Sequence, residues 1–349
     1  MTTSTTDAWS TRNRRWRVAG AALFLLAACS SGKAKTGAAA ADAASAVGSA
    51  AISTTTVAPT TAPTTTTAPP IAWPVVPNDG VARALLTASG VVLPVTHANA
   101  DGSFAVDTPC SNQVAATGTP ISGANVVLDP GHGGNESGAV GPSGLLEKDV
   151  NLAVTEDVKQ SLEAKGATVV LTRTGDYNTT IKTRAEIATD LQPQVFLSIH
   201  HNAEPDGASD VPGNETYYQV ASTDSKRLAG LVWEEVNTAF SQYHVAWTAD
   251  TDHGAKYRPG SSGGDYYGIL RDAESVTTVL SEAAFITNPP EEHLLADPAF
   301  QHVEGEAISR AIVRYITTTD PGSGFVTPYP RTEPAGGGGG PEGCTDPPL

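Results

Sequence analysis

The chain has 349 residues, with 37 acidic and 21 basic side chains and a formal net charge of −16 at pH 7. This excess of acid disfavours binding to nucleic acid or to anionic lipid headgroups. Aromatic residues make up only 6% of the sequence, and the long apolar runs are concentrated between residues 124 and 318, so a folded core is expected there.

Residues 1–28 have the features of a bacterial export signal. Several arginines precede an apolar run at 18–26, and the segment ends in Leu-Ala-Ala directly before Cys29. The run is too short to span a bilayer and suits the centre of a signal peptide. Leu-Ala-Ala-Cys resembles the lipobox of lipoprotein signals, which implies cleavage before Cys29 and lipidation of its sulfur. An ordinary secretory signal with an incidental Cys is the alternative, and two adjacent arginines leave twin-arginine export open.

Composition divides the rest of the chain outside the core. Residues 29–72 are nearly all Ala, Thr, Ser, Gly and Pro, which predicts a disordered tether. Residues 73–122 hold short apolar stretches broken by Gly, Asn and Asp, which predicts a small β-rich subdomain. Residues 320–349 return to a Pro- and Gly-rich composition and predict a tail.

The chain has three cysteines. If Cys29 carries lipid, Cys110 and Cys344 remain and can pair in the oxidising environment of an exported protein. Such a bridge would tie the tail to the folded part. Two free thiols are the alternative.

Residues 123–319 alternate between apolar runs and amphipathic segments. The pattern predicts strands at 125–129, 168–173, 195–199 and 277–286, and helices at 148–165, 179–191, 224–243 and 300–316. Apolar strands without alternation, separated by amphipathic helices, indicate an α/β domain with a mostly parallel sheet covered on both faces. Ligands of such sheets bind at the carboxyl ends of the strands.

Three side chains with metal-binding chemistry lie at those strand ends or at a helix start. His132 follows the first strand in a loop with three glycines, His200 ends the third strand, and Glu147 begins the first helix. Two His and one Glu with an open fourth position are the ligand set of a catalytic Zn²⁺ site. Each residue alone has an ordinary alternative, a loop histidine or a glutamate at the positive end of a helix dipole. Their coincidence on one rim favours the metal site.

Glu282 lies within the last apolar strand, where a carboxylate needs an explanation. A carboxylate beside a zinc ion can take a proton from water and pass it to a departing amine, which together with the metal hydrolyses an amide. A buried ion pair with Arg271 is the structural alternative.

Five segments resemble, in order, the sequence blocks of the zinc-dependent N-acetylmuramoyl-L-alanine amidases. They are VVLDPGHGG (126–134), GLLEKDVNLAV (144–154), VVLTRTGD (169–176), VFLSIHHNA (195–203) and VLSEAAFITNP (279–289). The resemblance implies zinc bound by His132, Glu147 and His200, with Glu282 as general base. It also implies a twisted sheet of about six strands, and cleavage of the amide between N-acetylmuramic acid and L-alanine in peptidoglycan.

Some residues depart from the family pattern or have less certain roles. Family members commonly have Gly where this chain has Ala284, and a positive φ there would cost about 1 kcal/mol. His201 adjoins His200 and is a lesser candidate for contact with substrate. Other polar residues are candidates for supporting roles: Arg173, Arg184 and Arg271 for carboxylates of the stem peptide, with solvated or structural pairing as their alternative, Asn151 and Asn202 for orienting ligands, and His253 as an extra ligand.

The sequence therefore predicts an exported hydrolase, anchored by lipid to the outer face of the cell membrane, that remodels peptidoglycan. A wall-binding lipoprotein with weak or no turnover is one alternative, favoured only by Ala284. A zinc peptidase acting within the stem peptide is another, because the metal chemistry does not name the amide. The expected partners are peptidoglycan and an activating protein, with no nucleic acid.

Overall fold

The computed structural model describes residues 70–205, 207–245, 253–261, 263–327 and 339–349. The predicted signal peptide, Cys29 and nearly all of the predicted tether lie outside these residues. Within the described part, no helix is both long enough and apolar enough to cross a bilayer. Export and lipidation therefore stay predictions.

The first five strands form an antiparallel sheet with the order β4-β3-β2-β1-β5. They are β1 Ala84–Leu86, β2 Val92–Ala98, β3 Phe104–Asp107, β4 Gln113–Ala116 and β5 Thr119–Ile121. Leu85, Leu93 and Val106 form part of a small core of their own. Ala84 and Val92 instead join a core of the larger sheet. The β-rich segment thus packs on the rest of the protein through one face of its first hairpin.

The larger sheet has six strands in the order β10-β9-β11-β8-β6-β7. They are β6 Val126–Pro130, β7 Val169–Leu171, β8 Val195–Asn202, β9 Glu215–Tyr218, β10 Ala255–Lys256 and β11 Thr278–Phe285. Every neighbouring pair is parallel except β9 and β11. The predicted fold class is confirmed, and β9 and β10 are strands that the sequence pattern did not predict.

In the part of the chain that the structure describes, six helices accompany this sheet. They are α1 Glu147–Ala164, α2 Ile181–Leu191, α3 Thr223–Phe240, α4 Gly268–Asp272, α5 Pro289–Leu295 and α6 Pro298–Thr317. The four long helices match the predicted ones to within a few residues at each end. Helices α4 and α5 are too short to show helical periodicity in the sequence, and the pattern missed them.

Alternate side chains of the central strands enter two different cores. Leu128, Leu197 and Val279 face the core formed with α1, α3 and α6. Val127 and Phe196 face the core that includes α2 and α4. This alternation explains why the strands read as continuous apolar runs. The parallel pairing of β6, β8 and β11 brings their carboxyl ends to one edge of the sheet.

Part of the predicted tail is fastened to the small sheet. Cys344 forms a disulfide with Cys110, in the turn between β3 and β4. The Asp346 carboxylate accepts hydrogen bonds from Cys110 N and Thr108 Oγ1, each at 2.8 Å. A Gly- and Pro-rich composition predicts a linker, and it gives no sign of these long-range contacts. The domain boundaries drawn from composition stay predictions.

A buried carboxyl group joins α5 to the end of β11. Glu291 accepts hydrogen bonds from the backbone N–H groups of Phe285, at 2.6 Å, and Gly213, at 3.1 Å. Burial outweighs these bonds and raises the pKa of Glu291 to about 8. The folded protein therefore retains a proton that the unfolded chain releases near pH 4.5.

This difference makes folding dependent on pH. Because the folded-state pKa is raised, the stability that Glu291 contributes is complete below pH 4.5 and is lost as pH rises to about 8. We expect Glu291→Gln to gain stability relative to wild type by roughly 1.4 kcal/mol per pH unit across this window. Urea unfolding at several pH values measures this difference. Glu163→Gln removes an exposed carboxylate of α1 and controls for net charge; parallel profiles for wild type and Glu291→Gln would refute the expectation.

Candidate active site

The loop after β6 holds His132 in a strained conformation. Its φ is +60°, a region that side chains other than glycine rarely occupy. Arg184 Nη2 donates to the His132 carbonyl at 2.6 Å, and Arg173 Nη2 donates to the Gly131 carbonyl at 2.9 Å. Both guanidinium groups also donate to the Pro130 carbonyl. The two arginines therefore fix the loop, and the structure gives them this role in place of the predicted contact with substrate carboxylates.

Arg184 is held in turn by a buried ion pair. Its Nη1 lies 2.6 Å from Asp129 Oδ1, and the two side chains are 5% and 2% exposed. Ser198 and Thr172 also donate hydrogen bonds to the Asp129 carboxylate. Burial raises the pKa of Asp129, but Arg184 and these hydroxyl groups outweigh it and lower the pKa below its usual value. The Asp129 carboxylate on β6 thus holds the Arg184 guanidinium in place, and Arg184 in turn fixes the His132 loop.

Glu147 lies between the two histidines. Its Oε2 is 3.1 Å from His132 Nε2, and its Oε1 is 3.0 Å from His200 Nδ1. One ligand atom from each of the three residues lies within 4.8 Å of the others. Two imidazole nitrogens and a carboxylate oxygen at this spacing fit the donor set of a catalytic zinc ion, and two of the three side chains remain partly open to the cleft.

The charge state of these groups suits a cation. Burial raises the pKa of Glu147, but hydrogen bonds and charge from His132 and His200 outweigh it and hold the pKa well below its usual range. Burial also lowers the pKa of His200. An ionised carboxylate and a neutral imidazole are the forms that bind metal.

Two glycines allow the three side chains to approach. A Cβ atom on Gly131 would lie 2.2 Å from His200 Cε1. Gly138 has a φ of +68°, and a Cβ there would lie 2.4 Å from Glu147 Oε2. Side chains at either position would displace the ligands, so these glycines are requirements of the site.

Strand alternation separates His200 from His201. His201 points to the opposite face, where its Nδ1 lies 2.8 Å from Asn151 Oδ1 and its Nε2 lies 3.2 Å from Glu304 Oε2. Asn151 Nδ2 donates to Glu147 Oε1 at 3.1 Å. The His201 side chain is fully buried, so the interpretation as a substrate contact is wrong. Its bonds place it in a chain that orients the carboxylate of Glu147.

Glu282 on β11 lies beside His200. The two residues are paired in the parallel register of β11 and β8, and Glu282 Oε2 is buried without a hydrogen-bond partner among the described residues. Arg271, its predicted alternative partner, donates instead to the carbonyls of Asp265 and Tyr266. Burial, with the negative charges of Glu147 and Glu215, raises the pKa of Glu282 well above its usual value. A raised pKa beside metal ligands is typical of a proton carrier.

A further carboxylate, which the sequence pattern did not predict, lies beside Glu282. Glu215 of β9 pairs with Glu282 in the antiparallel register and is buried. It accepts from Lys256 Nζ at 2.6 Å, Tyr217 Oη at 2.7 Å and Asn202 Nδ2 at 2.8 Å. Asn202 thus contacts Glu215 and not a metal ligand. The one available signal was a charged residue beginning a run of β-formers, Glu-Thr-Tyr-Tyr.

Two other sequence-based expectations change with the structure. Ala284 is buried and has no positive φ, so the replacement of the family's Gly brings no backbone strain of that kind. His253 stacks on Phe285 with ring centroids 5.8 Å apart. It is absent from the group of metal-binding side chains found among the described residues.

A cavity of about 450 Å³ opens over these groups. Its wall includes His132, His200 and Glu282 from the sheet edge. Arg258, Tyr266 and Tyr267 also line it. The cavity can thus present a polar substrate to His132, His200 and Glu282.

Comparison with known proteins agrees with this geometry. Residues 126–314, more than half of the chain, match the type 3 family described as N-acetylmuramoyl-L-alanine amidase. The chain belongs to this family. The resemblance found in the sequence is confirmed, and the amidase acts on the amide that joins peptidoglycan glycan to its stem peptide.

Similar proteins match between half and two thirds of the chain. YqiI of Bacillus subtilis, whose function is uncharacterized, is 35% identical over 59% of this chain and 90% of its own length. The N-acetylmuramoyl-L-alanine amidase LytC of the same organism is 35% identical over 60% of this chain, but over only 38% of LytC. The CwlD amidase of Clostridioides difficile, solved in complex with the GerS lipoprotein, is 30% identical over 55% of this chain and 98% of that one, with a TM-score of 0.47.

The ion pair under the His132 loop can be tested by mutation. Arg184→Met leaves Asp129 buried and unpaired, so we expect a loss of about 3 to 5 kcal/mol in the free energy of unfolding. Adding Asp129→Asn removes the unpaired charge and should restore part of this loss. Urea unfolding measures both values. Arg310→Met breaks an ion pair whose arginine is 46% exposed and should cost less than about 1 kcal/mol; similar losses for the two arginine variants would contradict the anchoring role.

Proposed function

We propose that the amidase is zinc-dependent, with His132, Glu147 and His200 as ligands and Glu282 as general base. The observation that carries the proposal is the convergence of two imidazoles and one carboxylate, with a second carboxylate beside them on the next strand. A zinc ion with three protein ligands supplies Lewis acidity and lowers the pKa of water to about 7.

The remaining steps belong to side chains of the chain itself. Glu282 takes a proton from the attacking water, since it lines the same cavity as His132 and His200. The same group then gives that proton to the amide nitrogen as the bond to the lactyl carbonyl breaks. Water adds to the carbonyl carbon and the stem peptide leaves with a free amino terminus, so no covalent bond to the protein forms.

Two other functions considered from the sequence have less support. A binding protein without turnover was favoured only by Ala284, and this residue adopts an unstrained conformation. A peptidase acting within the stem peptide needs the same metal chemistry, but the family match favours the glycan-proximal amide. We also propose that the amidase is exported and anchored through lipidated Cys29, and that a protein partner activates it.

Metal content tests the ligand assignment. We expect His132→Ala and Glu147→Gln to lose bound zinc after dialysis, while the wild type retains about one ion per chain. Elemental analysis of the dialysed proteins measures this directly. His302→Ala removes an exposed histidine of α6 and should retain the ion; equal zinc content in all four proteins would exclude these residues as ligands.

Product analysis tests the role of Glu282. We expect Glu282→Gln to lower turnover of a soluble muropeptide by roughly 10²- to 10⁴-fold without loss of zinc, because the variant lacks the proton carrier. Mass spectrometry identifies the products, and Glu274→Gln removes a nearby exposed carboxylate as a control.

Each alternative result has a distinct meaning. A free L-alanine amino terminus supports the amidase, whereas cleavage further along the stem supports the peptidase. Loss of zinc from Glu282→Gln would make Glu282 a ligand and overturn its assignment as general base.

A further inference from the structure

The C-terminal segment Gly339–Leu349, here named the strap, is fastened to the small sheet at one end. The disulfide between Cys344 and Cys110 joins positions 234 residues apart. Asp346 accepts three hydrogen bonds from the β3–β4 turn, including one from Asn112 Nδ2 at 2.9 Å. These bonds hold the strap firmly although its composition is that of a linker.

The other end of the strap reaches the catalytic cavity. Gly339 N donates to Glu136 Oε1 at 3.0 Å, and Ile181 N donates to the Gly339 carbonyl at 2.9 Å. Gly339, Glu136 and Ile181 all line the catalytic cavity. The strap is therefore part of the wall of the same cavity that His132 lines.

A second cavity, of about 280 Å³, adjoins the catalytic one beneath the strap. The two cavities share Glu136, Thr179 and Gly339 in their linings. The second one is otherwise lined by polar groups and strap residues: Asn135, Asn178, Thr180, Gly340, Glu342 and Cys344. Substrate bound over the metal ligands can extend into this cavity without leaving the protein surface.

The two cavities differ in charge. The lining of the second contains the carboxylates of Glu136 and Glu342 and no lysine or arginine among the described residues. The catalytic cavity is more balanced, because it contains Arg184, Arg258 and Arg271 beside the carboxylates of Asp129, Glu136 and Glu282, and Arg184 is paired with Asp129. An ammonium group of the substrate is therefore favoured on the strap side, where carboxylates line the cavity without a lysine or arginine among the described residues.

We propose that the strap cavity is a substrate subsite that binds an amino group of the stem peptide and so contributes to substrate specificity. The inference rests on the proposed function, because the ligand is the peptide portion of the amidase substrate. Wall peptides that contain a diamino acid supply an ammonium group of this kind. Glu342 is the specificity residue, and the disulfide positions it.

Binding of the product peptide tests the subsite without any need for turnover. The probes are the stem tetrapeptide with lysine at its third position and the same peptide acetylated on the lysine side chain. We expect the full-length wild type to bind the free amine roughly 5- to 10-fold more tightly, as measured by calorimetry, since a partly exposed charge pair contributes about 1 kcal/mol.

Two variants assign this selectivity to the strap. Glu342→Gln keeps the disulfide and should reduce the preference for the free amine to about 2-fold or less, while Glu163→Gln, at an exposed carboxylate of α1, should preserve it. The double variant Cys110→Ser with Cys344→Ser releases the strap and should also lose the preference. Thermal unfolding of each variant establishes that it is folded.

The contrary outcomes are distinct from failure of the proposed function. The subsite would be overturned by equal binding of the two peptides by wild type, by no measurable binding of either, or by equal behaviour of Glu342→Gln and Glu163→Gln. The strap would then have a structural role only. Strap-dependent binding of the disaccharide without peptide would assign the cavity to glycan hydroxyls and also overturn it. If the protein does not cleave muropeptide but still prefers the peptide with the free amine, the proposed function is wrong and the subsite stands.

Discussion

The site depends on the contacts that the buried carboxylate of Glu147 makes with two histidines. The carboxylate brings together a loop after β6, the start of α1 and the end of β8, because each of its oxygens contacts a different histidine. It also accepts from the backbone N–H of Ala139 at 2.8 Å. A carboxylate buried to this degree is tolerated only when several donors or a cation offset the loss of hydration. Because the buried Glu147 carboxylate needs these donors, the loop after β6, the start of α1 and the end of β8 all contribute groups around it.

That convergence requires support on both sides of the sheet. On one side, Glu304 of α6 contacts His201, which contacts Asn151, which donates to Glu147. On the other side, the ion pair of Asp129 and Arg184 fixes the carbonyl of His132. Such outer contacts set the orientation of ligands and commonly change metal affinity by roughly 10- to 100-fold when removed. The metal-binding geometry is thus a property of the whole domain.

Sequence analysis predicted the parts of this arrangement that have a local signal. His132 and His200 follow long apolar strands, and Glu147 begins a periodic helix, so their positions could be derived before any contact was known. Glu215 was missed because β9 has four residues and β10 has two, which is too short for periodicity to appear. The contact of His201 with Glu304 spans 103 residues, and no local pattern predicts a partner at that distance. The strap was missed for the same reason, since its contacts are long-range and its composition is that of a linker.

The positions of three carboxylates on neighbouring elements favour a cation at this edge of the sheet. Glu215 is compensated by Lys256, and Glu147 is compensated by two histidines that also need to be neutral to bind metal. Glu282 lies between them in register with both His200 and Glu215, and the two anions raise its pKa. A dication bound by Glu147 would offset the negative charge of that carboxylate and place a net positive charge near Glu282. The pKa of Glu282 would then fall toward the range in which a carboxyl group both accepts and returns a proton near neutral pH, which is the property that amide hydrolysis requires of it.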